Sequence, residues 1–127
     1  MKALRNPLER AINHGSAGSG VHHWWAQRFS AILLVPLTLW LVWTLAVLSS
    51  ADYAEARDWI ASPWNASMAV LLVASVFYHA RLGVQVVIED YVHRRALEIA
   101  LQVVVAAAAL VGAIIATIAI LKVAFAG

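Results

Sequence analysis

Three long apolar blocks, separated by short polar segments, dominate the pattern of hydrophobic and polar positions. Each block reaches about 20 residues, which at 1.5 Å of rise per residue covers the roughly 30 Å hydrocarbon core of a bilayer. The first and third blocks carry no charge over that length, whereas the second has polar side chains near its middle. The pattern predicts membrane-spanning helices at 29–49, 64–88 and 99–122, after a polar N-terminal arm at 1–28.

Composition agrees with a membrane protein and excludes several function classes. Of 127 residues, 63% are hydrophobic and 13% charged, whereas soluble domains carry about 25% charged residues. We therefore predict an all-α membrane protein with no separate soluble catalytic domain. The chain has no cysteine, which excludes disulfides, thiolate-held iron–sulfur clusters and cysteine nucleophiles. The net charge of +2 is dispersed, which makes nucleic acid an unfavourable partner.

Three local features refine this picture. Pro36 lies inside the first span, where it removes a backbone hydrogen bond and is expected to kink the helix. The glycine- and serine-rich run at 15–20 favours a flexible linker. In the third span, Ala108, Gly112 and Ala116 recur at four-residue spacing, which allows a neighbouring backbone to approach closely.

The basic residues predict the orientation, because Lys and Arg accumulate on the cytoplasmic side of membrane proteins. The N-terminal arm and the loop between the second and third spans are rich in arginine, whereas the segment 49–63 has one basic residue against three acidic ones. We expect the N-terminus in the cytoplasm and the C-terminus in the periplasm. The arm has no apolar core of a signal peptide, and we expect a bacterial cytoplasmic membrane.

The second span contains two ionisable side chains, His79 and Arg81. Such residues are costly inside a membrane unless they face a partner or a cavity, so they are candidates for function. His79 lies ten residues before Glu89 at the predicted membrane edge, or roughly 15 Å along the helix, near the middle of the bilayer. A hydrogen bond from this imidazole to another helix is an equally good interpretation of the spacing alone.

The same helix face continues toward the cytoplasmic edge. Asp90 follows His79 by eleven residues and returns to nearly the same face three turns later, and Gly83 lies near that face one turn after His79. A glycine there lets a flat group press close, while Asp90 and Tyr91 place a carboxylate and a phenol at the rim. This arrangement suits a cofactor beneath a polar pocket. For the rim residues taken alone, an ordinary helix end with an interfacial tyrosine is the favoured interpretation.

Before the first span stands a second group of polar and aromatic residues. His22 and His23 are adjacent, and neighbouring side chains on a helix point about 100° apart, which makes joint metal binding unfavourable. Trp24 and Trp25 have the character of interfacial anchors. Arg28 lies at the predicted membrane edge, where it can reach the interface or pair with a buried anion.

These motifs together resemble the small hydrophobic membrane-anchor subunits of succinate dehydrogenase. In that family, a histidine of the second span is followed by glycine four residues later and by Asp-Tyr eleven and twelve residues later, as His79, Gly83, Asp90 and Tyr91 are here. The family also has a Val-His pair before the first span and an arginine six residues after that histidine. His22 and Arg28 fit this second motif.

The resemblance implies a role for each of these residues. His79 would be one axial ligand of a haem b iron, and Gly83 would pack against the porphyrin. Arg28 and His22 would pair with the haem propionates. Tyr91 would donate a hydrogen bond to a ubiquinone carbonyl, and Asp90 would orient this region. The family assigns no role to Arg81, His23 or His93.

The resemblance also implies an assembly in which this chain alone catalyses nothing. A second three-helix cytochrome b anchor would share the haem and supply the opposite axial histidine. The iron–sulfur clusters and FAD would belong to separate iron–sulfur and flavoprotein subunits. Two alternatives stay open: a haem-free structural anchor of a respiratory complex, and a small channel or transporter in which Arg81, His79 and Asp90 line an ion path.

Overall fold

The computed structural model describes residues 18–125, which are almost entirely helical and contain no strand. This confirms the predicted all-α fold. The helices are α1 Gly18–Val47, followed by a single 3-10 turn at Leu48–Ser50, then α2 Tyr53–Ala61, α3 Pro63–Tyr91 and α4 Arg95–Phe125.

Three of these helices are long and apolar enough to cross a membrane, as the sequence predicts. They cover Gly20–Ser50, Pro63–Tyr91 and Arg95–Phe125, with 31, 29 and 31 residues. Each helix is longer than the roughly 20 residues needed to span a bilayer, so the helices extend beyond the apolar blocks at their ends. Pro36 lies within α1, which is one continuous helix.

The N-terminal end of α1 differs from the expected linker. Gly18, Ser19 and Gly20 belong to the helix, so the prediction of flexibility is wrong for them, and 15–17 lie outside the described residues. Glycine inside a helix costs about 1 kcal/mol relative to alanine. Propagation from the long apolar helix that follows offsets this cost, because each added residue gains a hydrogen bond without a new nucleation step.

The short helix α2 occupies what hydropathy alone marks as a polar loop. Asp52 caps it: its carboxylate accepts a hydrogen bond from the Glu55 backbone N–H at 2.9 Å, and the Glu55 carboxylate accepts one from the Asp52 N–H at 3.2 Å. This reciprocal pair is a capping box, and the spacing Asp-x-x-Glu is its sequence signal. The sharp turn into α3 follows, with Ser62 as N-cap and Pro63 in the first helical turn.

Helix α3 is the centre of the bundle and contacts both α1 and α4. Along α1, the buried side chains recur every seventh residue: Ser30, Leu37 and Thr44. Leu37 is only 2% exposed. The seven-residue spacing keeps one helix face against a neighbour, and its small hydroxyl residues let the two backbones come close.

Outside these contacts, many large apolar side chains are exposed on the single chain. They include Phe29, Ile32 and Trp43 on α1 and Val104 and Ile115 on α4. Such a surface suits a lipid environment or a membrane-embedded partner, because water would not favour contiguous apolar patches of this extent.

Helix α4 packs tightly against the Phe77 ring of α3 at Gly112. A Cβ atom added there would lie 2.5 Å from Cε1 of the Phe77 ring, a separation that non-bonded carbon atoms do not adopt. The glycine of the predicted small-residue motif therefore has a packing reason, since its missing side chain makes room for the aromatic ring.

We expect Gly112→Val to destabilise the bundle by about 1–3 kcal/mol, the usual cost of overpacking an interior contact. The measurement is thermal unfolding in detergent followed by circular dichroism. Gly20→Val is the matched control, because a Cβ at Gly20 has nothing within 4 Å. Equal melting temperatures for the Gly112 variant and the wild type would contradict this account of the interface.

Candidate functional site

His79 lies on the face of α3 that contacts α1. Its Nδ1 atom is 2.9 Å from the Ser30 hydroxyl oxygen. Ser30 is 4% exposed and belongs to the seven-residue face of α1, whereas the imidazole is half-buried. Within the described residues, the hydrogen bonding of His79 uses Nδ1, which leaves Nε2 for another group.

Gly83 lies one turn from His79 and faces Gln27 of α1. A Cβ added to Gly83 would be 3.9 Å from Nε2 of Gln27, which is an ordinary van der Waals distance. The packing of this chain therefore tolerates a methyl group at residue 83, in contrast to Gly112. Any requirement for glycine at this position comes from whatever lies against α3 outside the chain.

Two further polar side chains of α1 continue the contact between α1 and α3. His23 and Gln27 are one helical turn apart, and His23 Nε2 and Gln27 Oε1 are buried without a hydrogen-bond partner among the described residues. We call His23, Gln27, Ser30 and His79 the α1–α3 polar seam. Buried polar atoms normally have hydrogen-bond partners. His23 Nε2 and Gln27 Oε1 are therefore suited to bind water or a polar group from another molecule.

Arg28 leaves α1 on a different side. Its guanidinium stacks on the Trp24 ring at 4.5 Å from the centroid, and the Trp24 and Trp25 rings meet edge to face at 5.1 Å. Because Arg28 and Ser30 are two residues apart, their side chains point about 200° apart on a regular helix. The structure therefore does not bring Arg28 into the contact between Ser30 and His79, and Arg28 is exposed.

The adjacent histidines of α1 also separate. His22 is exposed, whereas His23 is half-buried against the bundle. Across residues 18–125, no three His, Cys, Asp or Glu side chains form a group that could hold a metal ion.

Asp90 and Tyr91 lie at the C-terminal end of α3, and both are exposed. Tyr91 is 78% exposed, and the helix closes at the next residue, where Val92 donates its N–H to the Ile88 carbonyl at 2.8 Å. Both side chains are therefore available to a ligand or to another subunit at this rim, three helical turns from His79.

Arg81 lies on the opposite side of α3 from His79. It lines a groove of about 210 Å³ between α3 and α4, together with Phe77, Tyr78 and alanines of α4 such as Ala106. This confirms the angular prediction that Arg81 points away from His79. Arg81 therefore does not share the face of α3 that carries His79 and Asp90, a placement that does not favour one ion path lined by all three.

A polar cluster near the same groove joins α3 to α4. The Gln85 amide donates to the Glu89 carboxylate at 2.8 Å. From α4, the Gln102 amide donates to Glu89 at 3.4 Å and to Glu98 at 3.5 Å. The four-residue spacing of Gln85 and Glu89 on one helix face was a sequence signal for half of this cluster, but the partners on α4 had none.

Comparison with known proteins gives a consistent family. The family model described as "Succinate dehydrogenase/Fumarate reductase transmembrane subunit" matches residues 2–120. The chain belongs to this family. A succinate dehydrogenase hydrophobic membrane anchor subunit of Rickettsia bellii is 40% identical over 89 residues, which are 70% of this chain and 71% of that protein.

Two further relatives agree with this assignment. The anchor subunit of Rickettsia conorii is 37% identical over 86 residues, covering 67% of this chain and 68% of the relative. A succinate dehydrogenase membrane anchor subunit of Reclinomonas americana is 34% identical over 88 residues, covering 67% and 73%. Membership of the succinate dehydrogenase/fumarate reductase transmembrane subunits supports the general role of a membrane anchor subunit of succinate dehydrogenase.

Within this transmembrane subunit, the structure brings together some of the predicted site residues. His79 and Gly83 both face α1, while Asp90 and Tyr91 form the rim beyond them. His22 and Arg28 remain apart from this group. Ser30 contacts His79 and Gln27 faces Gly83, and the sequence pattern did not single out either residue.

Proposed function

We propose that this chain is the membrane anchor subunit of a succinate:ubiquinone oxidoreductase, that it helps bind haem b, and that it forms part of the ubiquinone-reduction site. The observation that carries the proposal is the His79 imidazole, inside a membrane span, with Nδ1 held by Ser30 at 2.9 Å and Nε2 left for a ligand. An uncharged imidazole is a common iron ligand, and the family supports the assembly.

The residues of this chain fit a haem shared with a second chain. His79 would supply one ligand to the haem iron, and the family resemblance implies that a histidine of the partner anchor would supply the other. Gly83 would leave room for the porphyrin face. The exposed Arg28 and His22 would turn toward the propionates, whose charge is costly near hydrocarbon without a cationic partner. Haem, when bound, would supply one-electron transfer at this depth of the membrane.

The rim residues Asp90 and Tyr91 suit the reduction of a quinone, which takes up two electrons and two protons to become a quinol. The Tyr91 hydroxyl would donate a hydrogen bond to one quinone carbonyl. Reduction places negative charge on that oxygen, so the hydrogen bond strengthens as the reaction proceeds. Asp90 would orient the headgroup region and help deliver protons.

The remaining parts of the reaction belong to other subunits. A flavoprotein with FAD would oxidise succinate, and an iron–sulfur subunit would pass the electrons toward the quinone. The second three-helix anchor would cover part of the exposed apolar surface of this chain. We place the assembly in a bacterial cytoplasmic membrane, with the N-terminus and the rim of Asp90 and Tyr91 on the cytoplasmic side.

The proposal is tested by purifying the complex through a C-terminal tag on this chain in mild detergent. We expect co-purification of a second small anchor, an iron–sulfur subunit and a flavoprotein, together with a b-type reduced-minus-oxidised spectrum. Co-purification without any haem spectrum would contradict haem binding and support the alternative of a haem-free structural anchor. Purification without the other subunits, combined with ion flux in proteoliposomes, would contradict the proposal altogether.

A further inference from the structure

The Ser30 hydroxyl that contacts His79 also makes a hydrogen bond within α1 itself. The Ser30 hydroxyl oxygen lies 2.9 Å from the Gln27 carbonyl oxygen, to which it donates a hydrogen bond, and 2.9 Å from His79 Nδ1. A serine hydroxyl has one proton to donate and two lone pairs with which to accept. A backbone carbonyl can only accept, so the single hydroxyl proton points toward Gln27 in this geometry.

The position of that proton decides the state of the imidazole. With the hydroxyl proton directed at Gln27, the Ser30 oxygen can only accept from His79, and Nδ1 must carry a proton. A neutral imidazole has one N–H and one lone pair, so Nε2 then holds the lone pair. Of the two neutral tautomers, only this one turns both 2.9 Å contacts into hydrogen bonds.

We propose that Ser30 is a positioning residue that fixes the His79 ring in the Nδ1–H tautomer and directs the Nε2 lone pair at the haem iron. This inference rests on the proposed function, because it assigns a role to Ser30 only if His79 binds iron. Outer hydrogen bonds of this kind fix the ring orientation of ligating histidines and raise their basicity. Here the acceptor is a hydroxyl that a backbone carbonyl of the same helix holds in place.

The burial of Ser30 strengthens its hold on the His79 ring. Ser30 is 4% exposed, so water cannot readily replace its hydroxyl if that group is removed. The helix also prevents the serine from changing partners, since Gln27 lies three residues earlier on the same rigid segment. Ser30 thus holds the His79 ring at Nδ1, on the side of α1, and leaves Nε2 for the ligand.

The test compares Ser30→Ala with Thr44→Val in the purified complex. Thr44 lies fourteen residues further along the same buried face, and its hydroxyl has no hydrogen-bond partner within the described residues, so it is a matched control for loss of a buried hydroxyl. We expect Ser30→Ala to weaken haem retention roughly tenfold or more. We also expect a higher haem midpoint potential and altered low-spin electron paramagnetic resonance g-values, because the imidazole becomes a weaker electron donor. Thr44→Val should match the wild type in all three.

Several outcomes would overturn the inference. Unchanged g-values and potential in Ser30→Ala would do so, as would a lower yield of complex whose remaining haem is unaltered, since both describe a serine that only packs. Equal shifts in Thr44→Val would assign the effect to general packing. His79→Ala in the same preparation separates the two proposals: loss of the haem spectrum there with no effect of Ser30→Ala contradicts the role of Ser30 alone, whereas retention of the spectrum in His79→Ala contradicts the haem assignment and the role of Ser30 with it.

Discussion

Replacing His79 by alanine is expected to abolish the low-spin b-type spectrum of the assembled complex. On the proposed function, the variant would remove the ligand that this chain supplies to the haem iron, so we expect haem to be lost or its low-spin spectrum to disappear. Loss of a hydrogen bond behind a ligand already costs 10–100-fold in metal affinity, and we expect loss of the ligand itself to exceed about a hundredfold in haem retention. The measurement is the reduced-minus-oxidised spectrum relative to total protein of the purified complex.

The variant should still fold, which makes the result interpretable. Without the imidazole, the Ser30 hydroxyl keeps its hydrogen bond to the Gln27 carbonyl at 2.9 Å, so no buried donor is left unpaired. His93→Ala is the control, because His93 is exposed in the short segment between α3 and α4. An unchanged low-spin spectrum in His79→Ala would mean that the ligand assignment is wrong.

The spans could be predicted from the sequence because a bilayer imposes a fixed length on any helix that crosses it. The apolar blocks of α1, α3 and α4 satisfy that length directly. The short helix α2 lies outside this constraint, and hydropathy does not detect it. Its capping box at Asp52 and Glu55 was readable from the sequence, since a local hydrogen-bond pattern has a fixed spacing.

The site could be predicted only as far as single-helix geometry reaches. The 100° step per residue placed Asp90 on the side of His79 and Arg81 on the opposite side. It could not identify Ser30 as the partner of His79, because the two residues are 49 apart in sequence and their contact depends on the relative depth and rotation of two helices. The same reason explains why the packing of Gly112 against Phe77 was visible only as a small-residue spacing.

Tyr91→Phe is expected to impair quinone reduction while leaving succinate oxidation by an artificial acceptor intact. The variant keeps the ring and deletes the hydroxyl, so it removes the hydrogen bond that would strengthen as charge develops on the quinone oxygen. A loss of about 1.4 kcal/mol in transition-state stabilisation corresponds to a tenfold lower rate, and we expect at least that decrease in kcat/KM for ubiquinone. The two activities are measured on the same purified complex.

The exposure of Tyr91 supports this use of the variant, since a side chain that is 78% exposed contributes little to the packing of its own chain. Tyr53→Phe is the matched control: Tyr53 is 82% exposed and begins α2, in the segment that joins the first two spans at the other end of the bundle. Its hydroxyl should have no effect on either activity. Equal loss of both activities in Tyr91→Phe would indicate an assembly defect, and normal quinone reduction would show that another group donates to the quinone. A selective loss would place the quinone headgroup at the C-terminal end of α3, about three helical turns beyond His79.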